Sequence, residues 1–63
     1  MEDMVLTDFA VHDRVEIHPA TDAWMMGDRY GEVIKIGRKY LHVKMDRSNK
    51  VRRLTPRLIQ RKV

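Results

Sequence analysis

The chain has no cysteine, and at 63 residues that absence decides how it can be held together. A chain of this size buries only about 60 % of the surface exposed when unfolded. With no disulfide and no thiolate for zinc, it must rely on packing, on self-association, or on both. A cofactor domain joined to a substrate domain does not fit in this length, so an enzyme with a deep cleft is not expected. The hydrophobic residues, 43 % of the total, are enough for a small core and more than a disordered tail would carry. No apolar run approaches the length of a membrane span. The first residues, Met1, Glu2 and Asp3, are acidic where a secretory signal requires a basic stretch, so a cytoplasmic location is expected.

Apolar positions recur at every second residue, the period of a strand. Arg14-Val15-Glu16-Ile17-His18 alternates, and so does Tyr40-Leu41-His42-Val43-Lys44-Met45. In Gly31-Glu32-Val33-Ile34-Lys35-Ile36 the parity breaks. Val33 and Ile36 cannot both face inward on a regular strand, which predicts a bulge or strong bend near Ile34-Lys35. Lys50 to Leu54 reads as a fourth strand and Leu58 to Arg61 as a fifth. Ile36-Gly37-Arg38-Lys39-Tyr40 is a hairpin connection with Gly37 expected at positive φ, and Asp46-Arg47-Ser48-Asn49 is a second tight turn. Thr55-Pro56-Arg57 predicts a 3₁₀ turn before the last strand. Residues 1–8 read as a flexible segment or a short added strand. Residues 9–63 make one all-β domain: a five-stranded, SH3-like small barrel with a long first loop from Pro19 to Arg29. Closure is expected because it removes sheet edges. Val15, Ile17, Val33, Ile36, Leu41, Val43, Val51 and Leu58 are the expected core, with Leu54 at its end.

Charge is unevenly distributed. Residues 1–27 carry six acids and only Arg14, whereas residues 28–63 carry twelve basic residues and three acids. Two readings stay open: one face meets a polyanion, or the halves lie side by side and pair across strands. On the first reading Lys35, Arg38, Lys39, Lys44, Arg47, Lys50, Arg52 and Arg57 neutralise phosphates, and Tyr40 stacks a base beside them. With Val51 taken as inward, Arg52 faces outward and Arg53 turns inward to pair with Glu16 or Glu32. Trp24, Met25 and Met26 in the long loop are either a partner-binding surface, in a protein complex or a homo-oligomer, or, for Trp24, a lid on the core.

The run Asp13-Arg14-Val15-Glu16-Ile17, then Gly27-Asp28-Arg29-Tyr30-Gly31-Glu32-Val33, Ile36 and Leu41-His42-Val43-Lys44 resembles the KOW-type pattern across residues 9–61. That resemblance implies an SH3-like barrel working near DNA, RNA, ribosome or polymerase. The family usually has Gly where this chain has His12. A looser similarity, through Asp13-Arg14-Val15, Ala23-Trp24 and Gly31-Glu32-Val33, is to the type II plasmid-borne dihydrofolate reductases. Their active-site Val-Gln-Ile-Tyr corresponds here to Val51-Arg52-Arg53-Leu54, where only Val51 matches, so the activity does not carry over. His12, His18 and His42 lack metal-ligand spacing, and no Ser or Thr stands in a triad-like setting. The expectation is a nucleic-acid-binding module without catalysis, metal, cofactor or small-molecule substrate. The alternative is a protein-interaction module working through Trp24–Met26.

Overall fold

The computed structural model describes residues 5–63, and the strands in it follow the period-two reading. A 3₁₀ turn at Leu6–Asp8 precedes β1 (Arg14–Ile17), and a single helical turn, α1 (Asp22–Met25), interrupts the long loop. Then come β2 (Tyr30–Ile36), β3 (Leu41–Met45), β4 (Val51–Leu54), a second 3₁₀ turn (Pro56–Leu58) and β5 (Ile59–Lys62). The strands form one sheet in the order β4-β3-β2-β1-β5, and every pairing is antiparallel. No ladder joins β4 to β5 among the described residues, so both are edges of the sheet. The added strand considered for residues 1–8 is not seen over 6–8, where the chain turns instead; residues 1–4 lie outside the described residues. No helix among the described residues is long and apolar enough to cross a membrane.

The parity conflict in β2 is resolved as expected. Val33 pairs with Val43, the register then shifts, and Lys35 pairs with His42 while Ile36 pairs with Leu41. Ile34 and Lys35 thus share one position on the exposed side, and Val33 and Ile36 both reach the core. Gly31 shows how closely the strands approach. A Cβ there would lie 2.6 Å from a Val43 methyl and 2.7 Å from the Lys44 carbonyl oxygen, so only a hydrogen fits.

Phe9, Val15, Ile17, Ala23, Val33, Leu41, Val43, Met45, Leu54 and Ile59 form the core, with Leu6, Trp24, Ile36 and Leu58 packed against it. One expected member is missing. Val51 is half exposed, because Leu54 pairs with Leu41 and takes the inward face of β4. Two residues three apart on a regular four-residue strand point to opposite sides, so Val51 must point outward.

Gly37 is not at positive φ; the residues that are include His12 (81°), Gly27 (97°) and Asn49 (61°). His12 makes its turn as a non-glycine residue in the left-handed region. Its N–H donates to the Val33 carbonyl at 2.7 Å and its Nδ1 meets Glu32 Oε2 at 2.8 Å, contacts that offset the left-handed backbone. Asn49 gives the β3–β4 turn its left-handed residue, as the composition of that turn implies.

Candidate nucleic-acid interface

The inverted parity of β4 exchanges the roles of two arginines. Arg52, expected outward, lies on the face of Val43 and Leu54 and reaches Asp28, where Nε and Nη2 each sit 3.1 Å from Oδ2. Asp28 is 3 % exposed and also accepts the Ser48 hydroxyl at 2.8 Å. Burial pushes the Asp28 carboxyl up, but the hydrogen bonds from Ser48 and Arg52 and the Arg52 charge outweigh it, leaving the pKa below the ordinary value. Arg53, expected to pair internally, instead projects outward with its guanidinium 5.7 Å from the centre of the Tyr40 ring. Glu16 is taken by Arg61 at 2.8 Å, and Glu32 faces His12.

A depressed folded-state pKa means that the unfolded chain takes up the proton more readily, so this contribution grows with pH. It is complete above the ordinary Asp range, near pH 4, and is lost as the pH falls through the folded value. Asp28→Asn is expected to be less stable than the parent at pH 7, with the gap closing toward pH 2. Urea midpoints across that range measure it. A gap independent of pH would mean that Asp28 does not carry the charge in the pair.

The basic residues then separate into engaged and unengaged groups. Arg14 is paired with Asp46, Arg52 with Asp28 and Arg61 with Glu16, and Lys62 lies 3.8 Å from Asp13. Arg29 covers the Trp24 ring at 4.7 Å, and Arg57, in the second 3₁₀ turn, has an interaction of its own. Two of these pairs, Arg61–Glu16 and Lys62–Asp13, join the acidic first part of the chain to the basic second part, so pairing between β5 and the start of the chain absorbs some of the asymmetry. Lys35, Arg38, Lys39, Lys44, Arg47, Lys50 and Arg53 are exposed and have no carboxylate within ion-pair distance among the described residues.

Their positions make one coherent group. Lys35, His42 and Arg53 form a cross-strand row over β2, β3 and β4, because paired residues project from the same side. Tyr40 adjoins Arg53, and Arg38 and Lys39 cap the same end of the sheet in the β2–β3 turn. Lys44 stands in the next row, between Glu32 and Val51. Acids stand beside and beyond it, since its cross-strand neighbour Glu32 and the following Asp46 share a recess of about 420 Å³ with Lys44 and Asn49. Arg47 and Lys50 lie in the turn at that far end, apart from the main group. Of the residues named from the sequence, Lys35, Arg38, Lys39, Tyr40 and Lys44 therefore come together. Arg47 and Lys50 are separate, Arg52 and Arg57 are engaged elsewhere, and Arg53 joins.

The Trp24–Met26 segment divides too. Trp24 is half-buried against the core, whereas Met25 and Met26 are 83 % and 67 % exposed. A depression of about 600 Å³ between Ala20–Ala23 and β4 contains one hydroxyl, that of Thr21. That hydroxyl donates to the His18 carbonyl and accepts from the Trp24 N–H, so it caps α1 and is not a free nucleophile. No three His, Asp or Glu side chains among the described residues are grouped to hold a metal ion. Comparisons with family models, curated proteins and solved structures return no match, so none of them identifies a KOW-type or SH3-like family.

Proposed function

We propose that this is a cytoplasmic nucleic-acid-binding module that holds its ligand on the outer face of β2, β3 and β4 without reacting with it. One observation carries the reading: Lys35, Arg38, Lys39, Lys44 and Arg53 share that face with no carboxylate within ion-pair distance among the described residues, beside the exposed Tyr40. Cations not neutralised within the protein are free to neutralise phosphates, and the counterions thereby released make binding strongly salt-dependent.

The test is oligonucleotide affinity as a function of salt. Affinity should fall steeply between about 50 and 200 mM salt. Replacing Lys35 and Arg53 together with Ala should weaken binding to all sequences alike and reduce the log–log salt slope by about two. Arg61→Ala, which removes a cation already paired with Glu16, should change the slope much less. Absence of binding at low salt would discard the reading. The alternative, a protein contact, would then rest on Met25 and Met26, two flexible thioether side chains exposed side by side.

A further inference from the structure

We infer that the basic face takes single-stranded rather than duplex nucleic acid, with a base stacked on Tyr40; this rests on the nucleic-acid reading above. The reason is the apolar surface lying among the cations. Tyr40 and Ile34 are each 41 % exposed and Val51 is 51 % exposed. Three unrelated features put them there. Tyr40 is the residue before β3 and so falls opposite in parity to the inward Leu41. The bulge turns Ile34 out beside Lys35. Leu54 claims the inside of β4 and leaves Val51 outside.

A duplex shows a flat protein face its phosphates and sugars and keeps its bases inside. Laid on this sheet, it would satisfy Lys35, Lys44 and Arg53 but press charged backbone against Tyr40, Ile34 and Val51. Those apolar groups would lose water and gain no apolar partner. A single strand offers unstacked bases, whose faces cover apolar atoms while its phosphates reach the cations. Tyr40 suits this role, because Arg53 lies over one face of its ring at 5.7 Å and leaves a base to stack on the opposite face, with the cation across the ring. Stacking on Tyr40 and charge contacts to phosphates are open to every base, so recognition through them is sequence-tolerant. β3 has five residues. At about 3.4 Å per residue it spans only a short run of nucleotides, near the lower end of about 4 for small β modules.

The experiment compares fluorescence anisotropy of labelled oligo-dT and oligo-rU, each of about twelve nucleotides, with a mixed-sequence duplex of the same length at one low salt concentration. The single strands should bind more tightly than the duplex. Tyr40→Ala should weaken single-strand binding about tenfold and leave the weaker duplex binding unchanged. Tyr40→Phe should preserve binding, and Tyr40→Leu, which keeps apolar bulk without an aromatic face, should not. The Leu variant also serves if the Ala variant fails to fold. Duplex binding as tight as single-strand binding, or a Tyr40→Leu variant with parental single-strand affinity, would overturn the inference and leave the nucleic-acid reading standing. No binding of either form would remove that reading itself.

Discussion

Truncating Leu41 to Ala is expected to cost about 2–5 kcal/mol, read from the urea midpoint at constant slope. Leu41 has no exposed surface and sits in β3 between Ile36 on β2 and Leu54 on β4, so its removal opens a cavity bounded by two neighbouring strands. A domain of this length has about 3–9 kcal/mol in total, at about 0.05–0.15 kcal/mol per residue. The variant should therefore lose a large share of the domain's stability and unfold at a much lower urea concentration than the parent. An unchanged midpoint would mean that β3 is displaced by one residue, which would also reverse the face on which Lys44 stands.

The second large effect concerns Arg52. Arg52→Ala leaves the Asp28 carboxylate buried with hydrogen bonds from Ser48 but no opposite charge, and removing one partner of a buried pair costs about 3 kcal/mol. Arg53→Ala, at an exposed position, should stay within about 0.5 kcal/mol. Thermal unfolding of the two variants side by side decides the matter. If Arg53→Ala were the damaging one, β4 would present its other face, and the proposed interface would lose the cation that lies over Tyr40.

Much of this architecture could be read from residue spacing. Alternation alone places β1 and β3. The bulge follows from arithmetic, since Val33 and Ile36 are both apolar and three apart. The same arithmetic applies to Val51 and Leu54, which are also apolar and three apart, and the structure turns Leu54 inward where the sequence favours Val51. β4 has four residues and no room for a bulge, so one of the two had to yield, and the partner across the ladder, Leu41, selects Leu54. Reading Val51 as inward exchanged Arg52 and Arg53, and with them a structural cation and a surface one. The ion pairs were harder still. That Glu16 meets Arg61 depends on β5 returning to lie beside β1, and that Asp28 meets Arg52 depends on the loop after α1 reaching β4. Neither is a hairpin neighbour, so local pattern has no access to it. The positive φ expected at Gly37 is found instead at residues including His12, whose side chain meets Glu32.

The bulge in β2 has a consequence for how such a chain changes over generations. Gaining or losing one residue within a strand ordinarily turns every later side chain to the opposite face, which is why proteins of this kind vary in length at their turns. At Ile34-Lys35 that rule is suspended, because Val33 before and Ile36 after already face the same way with a spare residue between them. The middle strand of the sheet thus contains a position where length itself can drift while the interior stays as it was. Such drift would change only the outer surface, so the part of the molecule facing a ligand can be revised separately from the part that keeps it folded.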